Sequence, residues 1–146
     1  MEDAIYADDL HVGARYQLGS HTVSEEELVD FARQWDPQIF HVDKEAADAG
    51  VYGGLIASGL HTLSIYQKLA VEGVFGSWNV IAGRSLREVR FLRPVRPGAT
   101  LTGSFTITGI AFDDTKKRAL VSSSAELVGE GGVVLTVDVD AYVHAR

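Results

Sequence analysis

Asp36 and His41 stand five positions apart in the run Trp35-Asp36-Pro37-Gln38-Ile39-Phe40-His41-Val42-Asp43. A carboxylate accepts hydrogen bonds, and an imidazole with an ordinary pKa near ~6.5 exchanges protons at neutral pH. Held together in one short stretch, the two have the chemistry to bind a water and deprotonate it. The proline and the apolar neighbours argue against a purely solvated loop. Further along, Gly53-Gly54-Leu55-Ile56-Ala57-Ser58-Gly59-Leu60-His61 is a small-residue loop running into an apolar segment. A helix starting there presents free backbone N–H groups and the positive end of its dipole. Gly59 lets a ligand approach that backbone closely. The two stretches together read as an acid/base pair facing an anion-binding amide. Plainer readings stand beside this one. An aspartate before proline is often only a helix stop, and a lone histidine is more often simply hydrogen-bonded in place. Ser58 is either a helix N-cap or a ligand contact. His61 is either a pocket-lining residue or a hydrogen-bonded core histidine.

The elements that must position these groups are well signalled. Ser24-Glu25-Glu26-Glu27 reads as a capping box, with Val23 and Leu28 placed to form a hydrophobic staple. Leu28, Phe31, Ala32 and Trp35 follow at helical spacing, and Pro37 ends the helix near Trp35. A second short helix is expected over Asp43 to Ala47, capped by Asp43. From about Ser58 to Val74, Leu60, Leu63, Ile65, Tyr66, Leu69 and Ala70 make a helix apolar on most sides, the pattern of a buried, wrapped helix. The first dozen residues read as coil and Arg15–Ser20 as a short strand. Trp78–Phe91, Thr100–Ala111, Arg118–Gly129 and Val133–Val143 alternate as strands. The breaks between them, Arg96-Pro97-Gly98, Asp113-Asp114 and Gly129-Glu130-Gly131-Gly132, have turn chemistry. The order predicts an α+β fold, an antiparallel sheet curled round one long central helix.

A chain of 146 residues is most economically one domain, here 1–146. With 46% hydrophobic residues it has enough apolar side chains for a core. It has no cysteine, hence no disulfide framework, thiolate nucleophile or thiolate metal site. The histidines do not share a helix face at metal-ligand spacing, so no metal is expected. The net charge of −7 disfavours a nucleic-acid partner. No apolar run approaches the ~20 residues of a membrane span, so no membrane partner is expected. Met1-Glu2-Asp3-Ala4 lacks the basic start of a secretory leader, and a cytoplasmic location is expected. Arg84, Arg87, Arg90, Arg93 and Arg96 recur every third residue. On a strand they alternate between faces, as a solvated surface or in part as phosphate ligands.

The chain resembles the MaoC-type, hot-dog-fold acyl-CoA dehydratases, the group that includes the (R)-specific enoyl-CoA hydratases. Tyr6-Ala7-Asp8-Asp9-Leu10-His11-Val12-Gly13, Thr22–Leu28, Gly54-Leu55-Ile56-Ala57-Ser58-Gly59 and Arg93-Pro94-Val95-Arg96-Pro97-Gly98 carry the resemblance along nearly the whole chain. Its specific part is Asp36 and His41, which match the family's hydratase pair at its usual spacing. The family's commoner Asp-x-Asn-Pro-x-His is replaced here by Asp36-Pro37-Gln38-Ile39-Phe40-His41. Where some hydratases carry a supporting serine on the central helix, this chain has Gln67, with Ser64 one turn earlier. The resemblance implies reversible hydration of a trans-2-enoyl-CoA to an (R)-3-hydroxyacyl-CoA. Asp36 and His41 would activate water, and Gly59, with Ser58 and His61 nearby, would meet the substrate. The substrate is carried as a CoA thioester, and no cofactor is implied. A homodimer is expected, with further assembly possible. An acyl-CoA thioesterase and a non-catalytic acyl-binding subunit are alternatives on the same fold.

Overall fold

The structure, a computed structural model, describes residues 4–146. Met1, Glu2 and Asp3, on which the expectation of no leader largely rests, lie outside the described residues.

The capping box forms as expected. The Ser24 hydroxyl accepts from the Glu27 amide at 3.1 Å and the Glu27 carboxylate from the Ser24 amide at 2.9 Å. Helix α1 spans Glu25–Trp35. A single helical turn, α2 (Ile39–Val42), follows Pro37, and α3 (Lys44–Asp48) starts where the Asp43 carboxylate caps the Ala46 amide. The long helix α4 covers Gly59–Gly73. The strands are β1 (Arg15–Thr22), β2 (Val80–Phe91), β3 (Thr100–Asp113), β4 (Arg118–Gly129) and β5 (Gly132–His144). They form one antiparallel sheet in the order β1-β3-β4-β5-β2. This is the antiparallel sheet and central helix of a hot-dog fold.

Period-two alternation decides which face is buried. Leu101, Phe105 and Ile107 on β3, Val121, Ala125 and Leu127 on β4, and Leu135, Val137 and Val143 on β5 turn to one face. Ile65, Tyr66, Leu69 and Ala70 of α4 join them in the core. Helix α4 rests chiefly on β1 and β3. The backbones come close there because Gly73 and Gly103 face Leu18; an added Cβ at either would lie 3.2 Å or 3.1 Å from that side chain.

Three expectations need correction. The first dozen residues are not plain coil: Ala7–Asp9 forms a 3-10 turn that buries Ala7, and Leu10 is buried behind it. Trp35, expected on the packed face of α1, is 68% exposed, because the chain turns away at Pro37 before anything covers it. Helix α4 is not wrapped on all sides. Leu60, Ser64, Gln67 and Val71 form an exposed stripe at helical spacing. Strand β2 is exposed along nearly its whole length. It is the far edge of the sheet, beyond the reach of a helix that lies over β1 and β3.

Candidate active site

Three backbone features set the site. Asp36 is the C-cap of α1, with φ −156° and ψ 70°, outside the α region that the following proline disfavours. Its amide still donates to Ala32 O at 2.8 Å, so its position is fixed relative to the helix. The α2 turn then carries His41 back toward Asp36. Residues Leu55–Ala57 run alongside, with the Ile56 amide donating to Phe40 O at 3.2 Å and the Ala57 amide to Val95 O at 2.8 Å. This segment delivers Ser58 and Gly59 to the start of α4.

The Asp36 Oδ2 to His41 Nε2 distance is 3.4 Å, and the side chains are 20% and 5% exposed. His41 Nδ1 lies 2.6 Å from Ile56 O. A carbonyl only accepts, so Nδ1 carries the proton and donates it. In the neutral ring Nε2 is then left with a lone pair facing Asp36. A carboxylate oxygen and an imidazole lone pair thus converge, both as acceptors. A water, with two O–H donors, satisfies both.

Asp36 is held from two further sides. The Ser58 hydroxyl donates to Oδ2 at 2.7 Å, and the Gln38 amide nitrogen to Oδ1 at 2.8 Å. The Ser58 bond first, and the Gln38 bond next, keep the Asp36 pKa below the ordinary carboxylate value, with a smaller contribution from the His41 ring. Asp36 therefore stays ionised throughout the neutral range.

Asp36 and His41 open into a cleft of about 390 Å³ lined by Gln38, Phe40, Tyr52, Gly59, Thr62 and Phe91 among others. The Gly59 amide is at the first helical position, where no intrahelical carbonyl can satisfy it. A Cβ at residue 59 would come within 2.7 Å of the Phe91 ring, so a glycine is what lets that ring close over the helix start. The structure thus brings Asp36, His41 and Gly59 to one cleft.

The other expected residues fall elsewhere. Ser58 is fully buried behind Asp36 rather than lining the cleft. Its hydroxyl also accepts from the Leu60 amide at 3.2 Å, so it is the N-cap of α4. Ser64 is exposed and donates to Leu60 O at 2.8 Å, and Gln67 is exposed beside a separate groove. Neither reaches the pair.

His61 turns away from the cleft and stacks on Phe31, ring centroids 4.7 Å apart. Its Nε2 lies 3.4 Å from Glu27 Oε2, and its Nδ1 has no partner among the described residues. His21 meets the same carboxylate at 2.9 and 3.0 Å. Burial works to raise the Glu27 pKa, but the Ser24 amide and the two rings outweigh it and hold it below the usual range.

Burial also lowers the His61 pKa, with Glu27 opposing in part. In the unfolded chain the ring takes up a proton near ~6.5. Below that pH the unfolded state binds more protons than the folded one. Stability is therefore full above about pH 6.5 and falls as the pH drops below it, until the folded ring also titrates. A thermal-unfolding series from about pH 7 to about pH 5.5 should show a falling midpoint, and His61→Phe should flatten part of that fall. Equal slopes in both proteins would contradict this.

Four of the five clustered arginines are engaged within the chain. Arg87 clamps the buried Asp140 at 2.7 and 2.9 Å, Arg90 meets Glu88 at 2.8 Å, Arg93 donates to Val133 O at 2.7 Å and Arg96 to Tyr52 O at 2.6 Å. Of the five, Arg93 alone lines the cleft. Sequence reasoning missed the Ser58 and Gln38 bonds to Asp36, and the Phe91 ring over Gly59. The cap role of Ser58 has a local signal, since a serine before a glycine at a helix start is a cap, but its bond to Asp36, 22 positions away, has none. The Phe91 contact joins residues 32 positions apart and has none.

Among the described residues no helix is long and apolar enough to cross a membrane. The family model described as "MaoC like domain" matches residues 10–128. An uncharacterised Bacillus subtilis protein, YdeM, is 36% identical over 113 residues, covering 77% of this chain and 78% of its own. The 3-hydroxyacyl-thioester dehydratase Z of Mycobacterium tuberculosis is 31% identical over 131 residues, covering 83% of this chain and 84% of its own. Among solved structures, a MaoC-like dehydratase from Rhodospirillum rubrum superposes with a TM-score of 0.87 at 32% identity, covering 98% of this chain and 99% of that one. With that match over most of its length, and with relatives that include dehydratases, this chain belongs to the MaoC-like domain family.

Proposed function

We propose that this protein is a hydro-lyase that adds water to a trans-2-enoyl-CoA, giving an (R)-3-hydroxyacyl-CoA, and catalyses the reverse dehydration. The observation that carries the reading is the convergence of Asp36 Oδ2 and His41 Nε2, 3.4 Å apart, in a cleft that Gly59 also lines. Water held by both acceptors attacks C3 while His41 takes its proton. The C2=C3 electron pair moves toward the thioester oxygen, where the Gly59 amide meets the developing charge. The imidazolium then returns its proton to C2, and the atoms balance without metal or redox chemistry. The relative named as a 3-hydroxyacyl-thioester dehydratase supports the substrate class. The (R) configuration rests on the family resemblance, and the proposed setting is the cytoplasm.

Crotonyl-CoA tests the reading when enoyl absorbance and free thiol are followed together. Loss of absorbance without thiol release is the expected result. Thiol release would instead indicate a thioesterase. Neither signal across several chain lengths would leave an acyl-binding subunit.

We further propose a homodimer formed through β2. An edge strand of 12 residues leaves a row of unpaired backbone groups. Val80, Ile81, Leu86 and Phe91 on it are exposed. A groove of about 570 Å³ runs between this strand and α4, lined by Gln67 and Val71 from the helix and Val80 and Leu86 from the sheet. A second copy related by a twofold axis presents the same strand and stripe, which suits a self-complementary interface. Phe91 also lines the cleft, so pairing there would bear on the site. Light scattering after size exclusion should give twice the chain mass, and Leu86→Glu should give a monomer. A wild-type monomer at micromolar concentration would contradict the dimer.

A further inference from the structure

We propose that Ser58 is a positioning residue that couples the two halves of the site, aiming the Asp36 carboxylate from the same hydroxyl that caps the helix carrying Gly59. This rests on the hydratase reading above.

The geometry sets Ser58 apart from the other candidates. It is fully buried and outside the cleft lining, so its side chain does not face the substrate. Yet its single hydroxyl has two partners of different kinds. It donates to Asp36 Oδ2 at 2.7 Å and accepts from the Leu60 amide at 3.2 Å. A hydroxyl has one proton, and here the carboxylate takes it. The oxygen lone pairs remain for the helix start. The cap fixes where the oxygen sits, and the donated bond fixes Oδ2 relative to the first turn of α4. Asp36 belongs to the end of α1, 22 positions earlier. This one contact therefore sets the distance between the water-holding carboxylate and the neighbouring Gly59 amide.

The same contact affects which rotamer Asp36 can adopt. Oδ2, the oxygen 3.4 Å from His41 Nε2, is also the one Ser58 binds, while Oδ1 is turned to Gln38. Among the described residues, the polar side chains facing Asp36 are Ser58, Gln38 and His41, and of these only His41 is an ionisable type. Losing Ser58 leaves Gln38, an exposed residue, as the remaining donor. The carboxylate then gains freedom to swing and loses the donor that contributes most to its low pKa.

The experiment separates capping from aiming. Glycine is nearly as good an N-cap as serine but has no hydroxyl to donate. Ser58→Gly and Ser58→Ala are therefore both made, with Ser58→Thr as the conservative variant that keeps donor and acceptor. Hydration of crotonyl-CoA gives kcat and KM, and 13C NMR of protein labelled at aspartate carboxyls gives the Asp36 titration. In the glycine and alanine variants kcat should fall about 10-fold, the scale of one hydrogen bond to a charged group. KM should stay within about twofold, because Ser58 does not touch substrate. The Asp36 midpoint should move upward in both, and Ser58→Thr should restore both readouts. If either variant does not fold, the other decides. An Asp36 titration unchanged from wild type would overturn the proposal, whatever happens to turnover. If the wild-type protein does not hydrate crotonyl-CoA, the proposed function falls, while the titration still decides the role of Ser58.

Discussion

Replacing Asp36 with Asn should lower kcat/KM for crotonyl-CoA by at least about 10²-fold while leaving the fold intact. The substitution keeps the side chain's shape, and a side chain that is 20% exposed leaves room for adjustment. What changes is charge and acceptor capacity. The native carboxylate accepts from Ser58 on one oxygen and Gln38 on the other. An asparagine amide turned to accept from Ser58 points its nitrogen at the Gln38 donor, and one of these bonds is lost. More important, a neutral amide does not offset the imidazolium that forms when His41 takes the water's proton. That charge arises 3.4 Å away in a largely buried site, where its stabilisation matters most. Steady-state kinetics together with a melting curve would check the prediction. Near-normal activity in a well-folded Asp36→Asn protein would remove Asp36 from the mechanism.

The second large effect is expected of His41→Ala, a loss of about 10²–10⁴-fold, the range typical of a proton-transfer group. His41 is oriented from behind by its bond to Ile56 O at 2.6 Å and from the side by the edge of the Phe40 ring, centroids 4.5 Å apart. Removing it takes away the base and leaves the Ile56 carbonyl without its donor. A modest loss of stability should accompany the loss of activity, on the order of one hydrogen bond, ~1 kcal/mol. Groups that act on one water as a unit do not contribute independently. The double variant Asp36→Asn/His41→Ala should therefore be little worse than the poorer single variant. Strictly multiplicative losses would indicate that the two act in separate steps.

Much of this site could be read before the structure, for physical reasons specific to each residue. Proline 37 forces Asp36 out of the helix, so the carboxylate had to sit at a helix end. The Ser24–Glu27 capping box gave the start of α1, and the alternation of β3, β4 and β5 gave most of the sheet. Local signals are strong where one rule acts within four residues. The α2 turn was hidden because four residues make too short a period to detect, and Pro37 argued for loop. The exposure of Trp35 and of β2 was hidden for a different reason. Trp35 and the strand both carry apolar patterns, but the burial of Trp35 depends on what packs beside the end of α1, and that of β2 on where α4 crosses the sheet, both tertiary choices. The His21–Glu27–His61 cluster joins three elements, so the placement of His61 away from the cleft could not be settled by its spacing from Gly59. Ser58 lay at the boundary: its cap role was visible locally, its bond to Asp36 was not.

The central claim is that the pair adds water to carbon rather than to a thioester carbonyl. Turnover of crotonyl-CoA in heavy-oxygen water, followed by mass spectrometry, tests it most directly. The account predicts an intact CoA thioester of 3-hydroxybutyrate with the heavy oxygen at C3, formed by the wild type and not by Asp36→Asn or His41→Ala. Free crotonate bearing the heavy oxygen in its carboxylate, with CoA released, would contradict it.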